Sequence, residues 1–133
     1  MLDATRYEFV GFGMGVPKNN GFLAEYLNNP SHEELRTLYK SCQIWFCPSV
    51  LEGFCNIGAE AAVCGCLLVC VDRRESGTQD YATEETAHLF STLEEAAKHI
   101  RNPDWSKVLK CQKLLKEKVG TREQAMKKFV EVL

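Results

Sequence analysis

Two glutamates, Glu52 and Glu60, frame the part of the sequence best suited to chemistry, with seven residues between them. The apolar run Ile44–Cys47 predicts a buried strand before this segment, and the small residues of Ala59–Cys64 predict a helix after it. The first turn of a helix has unpaired N–H groups and a partial positive charge, which favour phosphate. A carboxylate in the preceding turn can hold a sugar hydroxyl beside that phosphate. The spacing therefore indicates nucleotide-sugar chemistry.

The size and charge of the chain exclude several classes of protein. Its 133 residues fit one domain, and 45% hydrophobic with 26% charged residues is ordinary for a globular protein. A net charge of −2 gives no basic surface for nucleic acid, so we expect no nucleic-acid partner. The longest apolar stretch, 59–71, is shorter than the roughly 20 residues of a membrane span. We therefore expect no transmembrane segment, and the first residues lack a signal-peptide pattern.

The cysteine content indicates the compartment. The chain has seven cysteines, an odd number, and most of them lie inside apolar segments. Free cysteine behaves as a small buried hydrophobic residue, and we expect that role for most of them. Cys64 and Cys66 do not have the spacing of a zinc site, so we expect no zinc site, and we expect no cofactor either. This usage fits a reducing, cytoplasmic location.

Strand and helix patterns alternate along the chain. The predicted strands are residues 7–10, 22–27, 43–47, 67–71 and 86–90, and the predicted helices are 31–41, 59–64, 92–100, 105–119 and a last one from 121. Two helices begin with capping boxes, formed by Ser31 with Glu34 and by Thr92 with Glu95. Apolar strands without strict alternation are typical of parallel sheets covered on both faces. The sequence thus predicts an α/β fold, a Rossmann-like three-layer sandwich with a mostly parallel sheet in a single domain.

Ligands of such sheets bind at the carboxyl ends of the strands. Three loops qualify: a glycine-rich turn at 11–15, the segment 48–58 and the polar loop 72–80. The middle loop carries the best chemistry. The C-terminal helices are expected to contribute core residues instead, and these are Trp105, Val108, Leu109, Leu115, Val119, Met126, Phe129 and Val130.

The middle loop and its flanks resemble the signature of group 1 glycosyltransferases of the retaining GT-B class. The matching residues are Leu38-Tyr39, Ile44–Cys47, Pro48-Ser49, Glu52-Gly53-Phe54, Glu60-Ala61-Ala62 and Cys64-Gly65. The resemblance extends over roughly residues 7–101, and its framed glutamate pair is more specific than such a spacing alone.

The resemblance implies a role for each matching residue. Glu52 would contact the hydroxyls of the donor sugar near the reaction centre, as the catalytic residue, and Glu60 would bind the ribose hydroxyls. The residues whose backbone amides would line the sugar and diphosphate are Gly53, Phe54, Cys55, Asn56, Ile57 and Gly58. The donor would be a nucleotide-diphospho-sugar such as a UDP- or GDP-sugar, transferred with retention and without a bound metal.

The chain also departs from the family pattern. Cys55 stands where many members have glycine. The strand and the Arg- and Lys-bearing loop that normally open the donor domain have no match here, and neither has the N-terminal acceptor domain. Residues 1–133 thus resemble a partial C-terminal, donor-binding domain, with its last helices at 104–133. We expect the isolated chain to be inactive.

Two other functions fit a Rossmann-like chain. The first is a non-catalytic regulatory or interaction domain that has kept the fold and lost the site, which the missing cationic residues favour and the two glutamates oppose. The second is a flavodoxin-like single domain. A receiver-like domain fits less well, because residues 7–15 offer no acidic cluster at the end of the first strand.

Overall fold

The structure is a computed structural model that describes residues 6–15, 18, 21–48, 55–73, 77–120, 124, 126–127 and 130–131. The strands are β1 (Val10–Gly13), β2 (Glu25–Asn28), β3 (Ile44–Cys47), β4 (Leu67–Val71) and β5 (His88–Phe90). The helices are α1 (His32–Ser41), α2 (Asn56–Val63), α3 (Leu93–Arg101) and α4 (Ser106–Val119), with a short 3-10 helix at Gly77–Asp80.

The strands form two small parallel sheets. β1 pairs with β2 in one, and the order in the other is β3-β4-β5. The register of the larger sheet places Cys47 beside Cys70 and Val71 beside Phe90. The chain is therefore a single α/β domain with parallel strands, as predicted, although its hydrogen bonds divide the strands between two sheets.

Helices cover both faces of the larger sheet. On one face, Leu68 and Cys70 of β4 share a buried cluster with side chains of α2 and α4. On the other face, Val69 of β4 packs with Phe90 and with Ala96 and Ile100 of α3. Successive residues of a strand point to opposite faces, so β4 has to be apolar throughout. This is the three-layer arrangement that its sequence predicted.

Local signals define the helix ends as expected. The Ser31 hydroxyl accepts a hydrogen bond from the Glu34 N–H at 3.2 Å, and the Glu34 carboxylate accepts one from the Ser31 N–H at 2.7 Å. Thr92 and Glu95 form the same capping box at the start of α3. Both capping boxes are confirmed.

The predicted glycine-rich turn at 11–15 is wrong, because Gly11 and Gly13 lie inside β1. A Cβ on Gly13 would come within 2.9 Å of the Tyr26 hydroxyl, and one on Gly11 within 3.1 Å of the Tyr26 ring. These glycines therefore make room for a side chain of β2, whereas the sequence pattern predicts a turn. β2 itself begins at Glu25, three residues later than predicted.

Several C-terminal core predictions are also wrong. Leu109 is 73% exposed, and Trp105, Met126 and Val130 are exposed as well. Leu115 is buried as predicted, and Cys111, which was not predicted, shares the buried face of α4 with it. The side chains of Val119 and Phe129 lie outside the described residues.

Four of the seven cysteines have the buried position expected of them, namely Cys47, Cys66, Cys70 and Cys111. The other three are partly exposed, and all seven are free thiols. No helix within the described ranges is both long enough and apolar enough for a membrane span.

Candidate functional site

Cys55 is the N-cap residue of α2, and its backbone is left-handed, with φ 57° and ψ 69°. Its carbonyl accepts hydrogen bonds from the N–H groups of Gly58 at 3.1 Å and Ala59 at 3.3 Å. Within the described residues, the N–H groups of Asn56 and Ile57 have no partner. Of the predicted amides, those of Asn56 and Ile57 have no partner among the described residues, whereas the Gly58 amide is engaged inside the helix.

Cys55 adopts this conformation at an energetic cost. A left-handed backbone costs a residue other than glycine roughly 1–2 kcal/mol. The Cys55 side chain makes no capping hydrogen bond that would offset the cost. The Tyr81 hydroxyl donates a hydrogen bond to the Cys55 carbonyl at 2.7 Å. This bond joins α2 to the residue that follows the 3-10 helix.

Gly58 lies against the buried ring of Tyr81 and the partly buried ring of Trp45, behind the N-terminus of α2. A Cβ on Gly58 would lie 2.5 Å from the Tyr81 hydroxyl oxygen and 2.8 Å from the Trp45 ring. Real Cβ atoms do not approach heavy atoms so closely, so this position requires glycine in the present packing. Gly58 thus sets how closely α2 approaches β3, which positions Cys55 and the free amides.

An open cavity of about 930 Å³ lies between α1, α2 and α4. Asn56 and Glu60 line it from α2, one helical turn apart and therefore on the same face. Arg36 of α1 and Lys116 of α4 line it from the two facing helices. Among the described residues, the Glu60 carboxylate has neither a hydrogen bond nor an ion pair. It is exposed and can accept hydrogen bonds from a ligand.

Tyr39 forms a buried part of the cavity wall. It is 3% exposed, its ring packs against Phe12 at 5.9 Å between centroids, and its hydroxyl has no hydrogen-bond partner within the described residues. Burial, reinforced by the Glu60 carboxylate, raises the pKa of Tyr39 to about 12. The phenol is therefore neutral at physiological pH, and its hydroxyl can donate or accept a hydrogen bond.

Gln112 fixes α4 against the end of α2. Its side-chain amide donates hydrogen bonds to the carbonyls of Ala62 and Val63, both at 3.1 Å. These carbonyls belong to the last turn of α2, where backbone acceptors need outside partners. Lys116 follows Gln112 by one turn on the same face of α4, so the same contact brings its side chain to the cavity.

The structure brings together part of the predicted site. Asn56 and Glu60 share the cavity wall, the Ile57 side chain is exposed beside its free amide, and Gly58 is buried. The predicted catalytic residue Glu52, together with Gly53 and Phe54, lies outside the described residues. In the parts of the chain that are described, no three His, Cys, Asp or Glu side chains form a group suited to a metal ion.

The sequence did not single out Arg36, Tyr39, Tyr81 or Lys116 as site residues. Arg36 and Tyr39 are three positions apart on α1, so helical spacing alone places them on one face. No local pattern links Lys116 or Tyr81 to α2, because these contacts join segments that are 26 or more residues apart.

Comparison with known proteins adds no family to this geometry: no protein-family model matches the chain, and no curated protein matches it. The α/β fold and the cavity beside α2 are therefore what the structure defines, and the resemblance to glycosyltransferases stays a prediction.

Proposed function

We propose that this chain is the donor-binding domain of a retaining glycosyltransferase, and that the cavity beside α2 binds the nucleotide part of a nucleotide-diphospho-sugar. The observation that carries the proposal is the position of Glu60. Its carboxylate, which has no partner among the described residues, lies one helical turn beyond Asn56 on the same cavity wall. The wall thus offers a carboxylate that can accept hydrogen bonds from two adjacent hydroxyls, close to the helix N-terminus and its amides.

Each part of the wall suits one part of such a donor. A carboxylate can accept two hydrogen bonds from the adjacent hydroxyls of a ribose. The amides of Asn56 and Ile57, with the positive end of the α2 dipole, favour a diphosphate. Arg36 and Lys116 lie on the facing helices and would offset its negative charge. They do so from positions that differ from the Arg and Lys of the family pattern.

The proposed reaction belongs to a two-domain parent. The sugar would pass from the nucleotide diphosphate to an acceptor hydroxyl with retention, and donors at the helix terminus would stabilise the leaving diphosphate. Glu52 would contact the donor sugar, as the motif implies. The acceptor domain would be the partner that completes the site. The seven free thiols fit a cytoplasmic location for this protein.

Titration with UDP and with GDP tests donor binding directly. We expect either nucleotide to shift the backbone amide signals of Asn56, Ile57 and Glu60 in NMR spectra of the chain. The amides of α3 serve as an internal control, because α3 packs on the opposite face of the sheet. Glu60→Ala removes the diol acceptor and should weaken the better ligand about tenfold or more, since hydrogen bonds to charged groups contribute roughly 1.5–3 kcal/mol.

Glu94→Ala is the matched control for this substitution. Glu94 is an exposed helix glutamate on α3, away from the cavity, so its replacement should leave the affinity unchanged. If neither nucleotide shifts the α2 amides at millimolar concentration, donor binding by this chain is wrong. Equal losses of affinity in the two variants would show that Glu60 does not bind the nucleotide, and would favour the alternative of a non-catalytic regulatory or interaction domain.

A further inference from the structure

We infer that Tyr81 is a positioning residue of the donor site: its hydroxyl holds the Cys55 peptide in the left-handed conformation and thereby sets the direction of the Asn56 and Ile57 amides. The part of this inference that concerns the donor rests on the proposed function. The part that concerns the backbone depends on the structure alone.

The backbone of Cys55 is strained. Glycine readily adopts the backbone angles that Cys55 has here, but a residue with a Cβ adopts them only when its surroundings stabilise them. An N-cap residue usually has an extended backbone and a side chain that accepts from the helix. Cys55 has neither feature. Some other contact has to stabilise the start of α2.

Tyr81 supplies that contact. Its hydroxyl donates to the same Cys55 carbonyl that accepts the N–H groups of Gly58 and Ala59. The carbonyl therefore joins the first turn of α2 to the side chain of Tyr81. A change at this bond moves the peptide that precedes Asn56, and the free amides move with it.

Tyr81 is itself held firmly. Its side chain is fully buried, and its carbonyl accepts hydrogen bonds from the Thr86 hydroxyl at 2.5 Å and the Cys111 thiol at 3.8 Å. Its N–H donates to the Thr78 carbonyl at 3.2 Å. Gly58 lets the hydroxyl approach, because a Cβ there would collide with it. The hydroxyl is thus a fixed point against which the start of α2 is positioned.

The inference predicts that Tyr81 and Cys55 are coupled. If the hydroxyl stabilises a strained cysteine backbone, Tyr81→Phe should loosen the first turn when residue 55 is cysteine. The same substitution should matter much less in a Cys55→Gly background, since glycine needs no help to adopt these angles. A tyrosine that only fills the core would show the same effect in both backgrounds.

Hydrogen exchange in the free protein measures this coupling. The reporters are the Gly58 and Ala59 amides, which are bonded to the Cys55 carbonyl. Tyr81→Phe should accelerate their exchange about tenfold relative to the α3 amides, and adding Cys55→Gly should restore most of the protection. Tyr39→Phe is the matched control for exchange. It also removes a buried tyrosine hydroxyl, but one that, unlike the Tyr81 hydroxyl, has no partner in the described residues. It should leave the two amides unchanged.

UDP or GDP binding measures the consequence for the ligand. Tyr81→Phe should weaken the better nucleotide about tenfold, and the double variant should recover most of that loss. Equal exchange rates in wild type and Tyr81→Phe, or equal effects of Tyr81→Phe in the two backgrounds, would overturn the positioning role. If wild type binds neither nucleotide, the proposed function fails, but the exchange rates still decide the role of Tyr81. If Tyr81→Phe alone does not fold, the inference requires that the double variant with Cys55→Gly does fold.

Discussion

Gly58 shows how a single atom can decide the geometry of the candidate site. Its backbone lies between the Tyr81 hydroxyl and the Trp45 ring, with no space for a Cβ. Alanine is normally preferred to glycine inside a helix by roughly 0.5–1 kcal/mol. At this position the collision opposes that preference, because both neighbours are large aromatic side chains.

Gly58→Ala should therefore destabilise the protein by about 1–3 kcal/mol, the usual cost of inserting an atom into a packed core. Urea unfolding measures the change in free energy. Gly21→Ala is the matched control, since apart from its chain neighbours no atom of the described residues lies within 4 Å of a Cβ there, and its effect should stay within about 0.5 kcal/mol. A neutral or stabilising result for Gly58→Ala would show that α2 can move away from Tyr81, contrary to the geometry proposed for Cys55.

Between elements, the contact of β5 with the start of α4 depends on the protonation of His88. The Asp104 N–H donates to His88 Nε2 at 3.0 Å, so the imidazole accepts this bond only when that nitrogen carries no proton. The ring stacks on His99 of α3, with centroids 4.4 Å apart. Burial, with His99 and Lys107 adding to it and Asp104 opposing it, lowers the pKa of His88 from 6.5.

This lowered pKa makes stability depend on pH in a defined direction. Above pH 6.5, His88 is neutral in both the folded and the unfolded chain, and the contact is fully present. As the pH falls through 6.5 toward the lower folded pKa, the unfolded chain binds more protons, and the folded state loses stability. Urea unfolding at about pH 7.5 and about pH 5.5 should show this loss in wild type.

His88→Gln removes the titrating group and keeps an acceptor for Asp104, so the loss of stability between the two pH values should be smaller than in wild type. His32→Gln provides the control, because His32 is exposed on α1, and this variant should follow wild type. If His88→Gln also follows wild type, the pH dependence arises elsewhere.

For the whole molecule, the sequence predicted what local patterns determine. The capping boxes at Ser31 and Thr92 and the doubly buried strand β4 are short-range signals, and the structure has all of them. The turn predicted at the glycines of β1 is wrong because these glycines leave space for the Tyr26 side chain, a contact that no local pattern shows.

The candidate site divides in the same way. Glu60 and the helix that carries it could be predicted, because a helix of small residues after an apolar strand is visible in the chain, although α2 begins at Asn56, three residues before the predicted start at 59. Lys116 and Tyr81 could not, since α4 and the residue after the 3-10 helix meet α2 only through tertiary contacts. The buried position of Cys111, with Leu109 outward, likewise reflects which face of α4 meets the sheet.

The whole chain should bind a donor without transferring its sugar. The described cavity is lined by Asn56 and Glu60 of α2 and by the cations Arg36 and Lys116, all of which would contact the nucleotide under the proposed function. Transfer also requires an acceptor hydroxyl held beside the anomeric carbon of the donor, and proximity of that kind can supply roughly 7–11 kcal/mol of a barrier. The acceptor domain of the proposed parent protein would hold that hydroxyl.

Two measurements on the purified chain separate binding from transfer. A UDP- or GDP-sugar at about 100 times its dissociation constant should stabilise the chain by about 2.7 kcal/mol in urea unfolding, because it binds only the folded state. The same mixture should release no more nucleotide than one containing Glu60→Ala, with or without simple sugar acceptors. Release that depends on Glu60 would show that the isolated chain carries a complete active site, and the requirement for a second domain would be wrong.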